Sequence, residues 1–492
     1  MVFMDYDEIG LRVGIEVHHS LDTERKLFCS CPTLLKTKDN PDLILERKQR
    51  FVAGETGEID AAAFEETKKG KKIIYEAYKD CNCLVETDEE PPHALNVEAL
   101  KVTLIIAELF HCRIVDEIQV MRKTIVDGSL PSGFQRTILI GVNGWVQTSQ
   151  GEVEIEAIAL EEDSGRLVAS DKESLTFRLD RLGTPEVEVA VGKGIKSPEH
   201  AREVAKKIGD TVRSTGKAIV REGSVRQDVN VSIKGGDRVE IKHVPSLSLI
   251  PAVIEREITR QQTIIKAGKK VSRDVRKVLP DGSTEFLRPL AGAARMYPET
   301  DIIPMATGPL LGWVRKNLPE TPEKRLQRYV KKGLSEEMAR QMVDSEYLGL
   351  FDRVSAKFKV EPALIAGVFV STLRDLERRE GLNVSILAEK DFEELFYLLK
   401  GKRLVKEAIP EVLKLKIGNP EIKISDAVKK LGLGGLSDEE LAAIIAKKIK
   451  ENPSQPEGKI VGFVMKDVRG NADPARVIQL TKKMFNSPRQ SP

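Results

Sequence analysis

The sequence predicts an α+β fold over its first three hundred residues and an all-α continuation beyond them. Several separated segments alternate apolar and polar residues with period two, and amphipathic helical stripes stand between them. No Gly-rich strand-to-helix turn of a doubly wound parallel sheet appears. Past Pro304 the period-two segments stop and helical stripes take over.

At 492 residues the chain has room for two to four domains of roughly 100–200 residues each. A hydrophobic share of 41% with 31% charged residues is that of a water-soluble globular protein. The 5% aromatic share argues against a base-stacking surface of the single-strand type. Net charge is +2, so the total says nothing about nucleic acid. From Gly401 onward, however, 18 Lys and Arg face 11 Asp and Glu, which fits either a polyanionic partner or a solvated basic tail. Five cysteines are too few for a disulfide framework, and no secretory or membrane-spanning apolar run is present. A cytoplasmic protein without membrane contact is expected.

The strand Leu11–Thr23 comes first. Val13, Ile15 and Val17 share one face, and Gly14, Glu16 and His18 the other. The pattern suits an ordinary half-buried strand or a carboxylate and imidazole presented on a rigid element. Two cysteine pairs follow, Cys29-Ser-Cys31 and Cys81-Asn-Cys83, which suit a structural zinc site or buried reduced thiols. Between them Asp39–Ala63 reads as loop and the run around Lys71 as a hairpin or turn. Asn96 caps a helix reaching about His111, with Cys112 in its apolar surroundings.

Met121–Thr137 holds Arg122 and Lys123 before a Gly/Ser/Pro-rich turn ending in Phe134-Gln135-Arg136. Free N–H groups and cations there suit phosphate or carboxylate binding, and a plain loop between strands fits as well. Glu152–Leu160 alternates and runs into Glu161-Glu162-Asp163, costly together unless solvated or bound to a cation. Arg178–Val191 repeats the opening pattern with Glu186 and Glu188, and Ser224–Ile233 again with Arg226, Asp228 and Asn230. Glu240-Ile-Lys242 is a fourth case. Helices start at Ser197-Pro198-Glu199 and span about Leu247–Ala267. Beyond Pro319, helices are expected at about 322–333, 335–346, 362–380 and 390–400, and another after Ser437. Oxygen donors with one imidazole suit Mg²⁺ or Mn²⁺, and with Lys and Arg nearby they are the equipment of phosphoryl transfer. A wet acidic face is the other reading.

In chain order, VGIEVHHSLDT with KLFCSC, LPSGFQRT, ALEEDSGR, DRLGTPEVEV, RQDVNVSI with VEIK, and RPLAGAARMYPETDIIP match the motifs of one family. The chain resembles the GatB/GatE family of tRNA-dependent amidotransferase subunits, on its archaeal E-type side, over nearly its whole length. The resemblance implies a glutamine-synthetase-like cradle at 1–305, mostly antiparallel sheet with helices. A helical domain at 306–420 and a small YqeY-like α-helical tail at 421–492 would follow. It implies ATP-dependent conversion of the glutamate side chain of Glu-tRNA(Gln) to a γ-glutamyl phosphate, then amidation to Gln-tRNA(Gln). Ammonia would come from an asparaginase-like glutaminase, GatD, in a heterotetramer.

Carried over by position, Glu16, His18, Glu162 and Glu188 match the family's Mg²⁺ or Mn²⁺ pocket. Glu161, Asp228 and Arg226 match neighbouring motif positions. Lys123, Arg136 and Arg295 are assigned to phosphate or substrate, with Tyr297 and Glu299 beside Arg295. Lys466, Arg469 and Arg476 of the tail are assigned to tRNA, and Cys29, Cys31, Cys81 and Cys83 to zinc. One departure stands out: there is no room before Arg288-Pro289 for the inserted domain, similar to part of aspartyl-tRNA synthetase, that E-type chains carry. A B-type chain of the three-component amidotransferase, or a non-catalytic tRNA-binding scaffold, remains the alternative.

Overall fold

A computed structural model describes residues 5–36, 40–48, 64, 68, 70–219, 221, 223–279, 281–290, 296–401, 403–433, 436, 438–468, 472 and 474–485. The chain divides into two compact units, Met1–Thr321 and Pro322–Pro492.

The strands of the first unit begin with β1 (Arg12–Ser20), β2 (Leu43–Lys48), β3 (Lys72–Ala77), β4 (Arg113–Ile114), β5 (Glu117–Ile118) and β6 (Val120–Thr124). Next are β7 (Phe134–Thr148), β8 (Gly151–Glu162), β9 (Arg166–Ser170), β10 (Ser174–Arg178), β11 (Pro185–Val191) and β12 (Val225–Ser232). The series ends with β13 (Val239–Val244), β14 (Asp274–Val278), β15 (Thr284–Pro289), β16 (Met296–Pro298) and β17 (Met305–Ala306). Its helices are α1 (Val97–Leu109), α2 (Pro198–Ser214), α3 (Ile250–Lys266) and α4 (Gly308–Lys316).

Among the described residues, eleven strands form one sheet in the order β15-β14-β13-β12-β1-β11-β8-β7-β6-β16, with β4 on β7. All its pairs are antiparallel except β13 with β14. A smaller sheet runs β2-β3-β10-β9. Leu43–Lys48, expected as loop, is therefore a strand, and the run around Lys71 leads directly into its antiparallel partner β3. Their six-residue ladder is too short and too charged to stand out in the sequence. The remainder of the expected 39–63 loop lies almost wholly outside the described residues.

One face of the large sheet is a continuous apolar core. Val13, Ile15 and Val17 of β1 join Val187, Val189, Val229 and Val231 of its neighbours, as the period-two pattern requires. The helices α1, α2 and α3 cover that face. The α2 stripe Ala201, Val204, Ala205, Ile208 and Val212 is fully buried. Its N-cap Ser197 accepts from His200 N–H at 3.1 Å, and Asn96 caps α1 through Glu98 and Ala99 N–H.

The end strands β15 and β16 are joined by the short stretch from Pro289 to Met296, which spans at most about 25 Å. Ten strands laid flat would be about 43 Å across at ~4.8 Å per gap. The sheet must therefore curl. The sense of the curl follows from Lys123 on β6 reaching Glu188 on β11 at 3.5 Å, although three strand gaps separate them. Its concave side is the polar face.

The second unit is helical. Pro322–Lys331, Glu336–Val343 and Glu389–Lys400 lie where expected, as does Pro362–Gly367, continuing through a π-turn at Val368–Thr372 into Leu373–Arg378. Helices Leu348–Lys357, Ile409–Gly418 and Ile424–Lys430 are not distinguished by the sequence pattern. Two separate apolar cores form, one around Phe351, Phe369, Phe392 and Phe396, the other around Leu441, Ile445, Ile460, Val464 and Val477. Among the described residues, no helix is long and apolar enough to cross a membrane.

Candidate active site

The site lies on the concave face and is organised by β1, which has β11 on one side and β12 on the other. His18 is directly opposite Glu188 on β11 and Arg226 on β12. Glu16 is opposite Asp228 on β12. From β8, Glu161 lies across from Glu186 on one side and Thr137 on the other. Direct cross-strand neighbours on one face are within side-chain reach, so the register alone gathers these groups.

The donor atoms of Glu16, His18 and Asp228 lie within 4.8 Å of one another, and so do those of His18, Glu161 and Glu188. Three basic side chains interleave with them. Lys123 Nζ donates to Glu161 Oε1 at 2.9 Å and lies 3.5 Å from Glu188. Lys242 Nζ contacts Asp228 at 2.9 Å and Glu240 at 2.7 Å. Arg226 binds Glu186 and Asp163 at 2.6 and 3.0 Å. Acids outnumber bases here, and the protonation preferences record the excess.

Burial, then Glu188, Asp228 and Glu240, push the Glu16 carboxyl up to about 8. Burial also lifts Glu186 to about 8 and raises Glu161, where Glu188 adds to the effect. Burial takes His18 down to about 4, leaving a neutral imidazole with one nitrogen lone pair to offer. Burial opposes ionisation of Asp228, yet the Lys242 ammonium and the His243 backbone N–H outweigh it and hold the carboxyl below its ordinary range. The second oxygen of Glu161, Oε2, is buried without any hydrogen-bond partner. Hard oxygen donors, one neutral imidazole and an orphaned carboxylate oxygen fit Mg²⁺ or Mn²⁺.

The structure does not bring Glu162 into this group. β8 changes phase at Glu156–Ala157: Val153 and Ile155 are buried before it, Ile158 and Leu160 after, and the register with β11 slips there. Glu161 therefore faces the hollow and Glu162 the opposite side. There Glu162 meets Arg136, whose Nη1 is 3.3 Å from both carboxylate oxygens. Arg136, assigned to phosphate, is likewise buried on the far face and also bound to Glu299 at 2.9 Å. Glu299 is fully buried, accepts from Arg122 as well, and does not face the hollow. Tyr297 is exposed, beside Phe134. Arg295 lies outside the described residues.

The cysteine site differs by one ligand. Cys29, Cys31, Cys83 and Glu86 place their donor atoms within 4.8 Å of one another, a set compatible with structural zinc. Cys81 stands outside the group and is buried, its Sγ 3.9 Å from Asn82 Oδ1. The replacement has a local cause: Glu86 is fixed by Cys83 N–H at 2.8 Å and by buried Lys26 at 3.0 Å. A carboxylate three residues after Cys83 is the signal available in the sequence. In the second unit, Lys466 is exposed and Arg476 donates to the Leu436 carbonyl at 3.1 Å. Arg469 lies outside the described residues.

Residues 11–309 match the GatB/GatE catalytic domain and residues 349–485 the GatB domain. Curated relatives named as the E component of glutamyl-tRNA(Gln) amidotransferase include those of Methanococcus maripaludis and Methanocaldococcus jannaschii, each 34% identical. They cover 95% and 98% of this chain and 97% and 99% of their own. The counterpart from Saccharolobus solfataricus is 32% identical over 98% of this chain and 99% of its own. The M. maripaludis alignment runs over 613 positions but takes in 95% of the 492 residues here, so many of its positions have no residue in this chain.

Proposed function

The chain belongs to the GatB/GatE family, and from that premise we propose that it activates the side-chain carboxylate of glutamate carried on tRNA(Gln). It does so as the E-type component of a tRNA-dependent amidotransferase. A carboxylate does not condense with ammonia at neutral pH, because its charge shields the carbonyl carbon. Transfer of the γ-phosphoryl group of ATP to a carboxylate oxygen releases ADP and leaves an acyl phosphate. Ammonia, from an asparaginase-like glutaminase partner (GatD), then attacks that carbon, phosphate departs and Gln-tRNA(Gln) results.

The supporting observation is the convergence of Glu16, His18, Glu161, Glu188 and Asp228 from four strands on one concave face. Divalent ions held by these residues supply charge neutralisation for phosphates and substrate carboxylate. Lys123, between Glu161 and Glu188, is placed to meet a phosphoryl oxygen once those acids bind a cation. Asn230 Nδ2 donates to Glu16 at 3.2 Å and orients it. Zinc at Cys29, Cys31, Cys83 and Glu86 is structural. The tail, with Lys466 and Arg476, contacts tRNA phosphates.

The test is reconstitution with a glutaminase partner, Glu-tRNA(Gln), ATP and Mg²⁺, following ATP cleavage and amidated product. Glu188→Gln should abolish product, a loss of at least about 10²-fold, while tRNA binding persists. Unchanged product with that variant would overturn the assignment and favour a scaffold.

A further inference from the structure

His243 is a non-glycine residue in the left-handed region, at φ 58°, at the lip of the hollow. Its position follows from an irregularity in the β12–β13 ladder. Gln227 pairs with Val244 and Val229 with Ile241, so the two residues Lys242 and His243 stand opposite the single residue Asp228. That is a β-bulge, a device that re-aims side chains and concentrates next to active sites.

The bulge has a specific product. At the bulge the His243 backbone N–H goes to the Asp228 carboxylate, which the Lys242 side chain meets as well. Lys242 Nζ meets Asp228 Oδ2 at 2.9 Å, and the His243 backbone N–H donates to Oδ1 at 2.8 Å. Both oxygens of Asp228 are thereby held, and a donor atom of this carboxylate lies within 4.8 Å of those of Glu16 and His18. The His243 side chain is exposed, and among the described residues its ring makes no hydrogen bond.

We propose that His243 is a positioning residue: its left-handed backbone aims an N–H at Asp228 and sets the geometry of the cation group Glu16–His18–Asp228. The imidazole is incidental, and the backbone conformation is the working part. This inference rests on the cation-binding reading of the hollow. It predicts that tolerance follows the ability to occupy positive φ, not side-chain chemistry. Gly and Asn enter that region readily, whereas a β-branched residue does not. Because the side chain is exposed, none of these changes leaves a cavity.

The experiment measures Mn²⁺ binding to the full-length protein by electron paramagnetic resonance, for wild type, His243→Gly, His243→Asn and His243→Val. Gly and Asn should bind within about twofold of wild type, and Val at least about tenfold more weakly, the usual cost of losing an outer-shell partner. Equal weakening in all three variants would overturn the proposal and make the imidazole the working group. Equal binding in all four would overturn it as well. If wild type binds no Mn²⁺, the cation reading itself fails, a result distinct from either. A merely structural role would move the melting temperature without separating Val from Gly and Asn in affinity.

Discussion

Lys123 donates to Glu161 at 2.9 Å, while the other oxygen of the same carboxylate is buried without a donor. The pair is thus half satisfied, and the ammonium occupies space between Glu161 and Glu188 that a second cation would use.

Lys123→Met should therefore raise Mn²⁺ affinity at the His18–Glu161–Glu188 group. Removing about 1.4 kcal/mol of competing charge corresponds to tenfold. Amidation should fall at least about 10²-fold, since the phosphate contact proposed for Lys123 goes with the ammonium. Calorimetric titration with Mn²⁺ and product assay read the two effects separately, and weaker Mn²⁺ binding would refute the competition.

Glu16 makes the site pH-dependent. Its carboxyl is raised to about 8 in the fold, above its ordinary value of 4.5. A raised carboxyl binds a proton in the folded state that the unfolded chain has released. It therefore contributes stability below pH 4.5 that is lost as pH rises through about 8. For a cation the sign reverses. Binding must expel that proton, so Mn²⁺ affinity should climb up to about tenfold per pH unit from roughly 6.5 to 8 and level off above. Glu16→Gln should abolish the slope.

The cysteine cluster yields a test between two neighbouring thiols. Cys83→Ser should lose bound zinc, measured by atomic absorption, and lower the unfolding midpoint. Cys81→Ser should keep the metal, because Cys81 stands outside the ligand group. The reverse result would restore the four-cysteine site.

Glu299→Gln breaks a buried junction with Arg122 and Arg136 on the far face of the sheet. Two arginines directly opposite each other on β6 and β7 would then repel with half their compensation gone. A loss of about 3–5 kcal/mol in urea unfolding is expected.

Much of the site is legible in the sequence because strand phase is. Glu16 and His18 opposite Val13, Ile15 and Val17 follow from alternation alone, and so do Glu188 and Asp228 on their strands. What alternation cannot give is the neighbour of each strand, hence the pairing of His18 with Glu188. Nor can it survive a bulge. Strand phase leaves Glu161 and Glu162 both open at the end of β8, the resemblance points to Glu162, and the slip at Glu156–Ala157 turns Glu161 to the hollow. Arg136 misleads for a related reason. A cation in a polar motif looks available until Glu162 and Glu299, the latter 163 residues away, are found on it. Glu86 and His243 escape a reading of the sequence because their roles depend on local backbone form, which composition does not report.

The stretch from Pro289 to Met296 ties together the two outer margins of a ten-strand path. Seven residue steps separate the facing ends of β15 and β16, so the two margins stay within about 25 Å of each other however the sheet flexes.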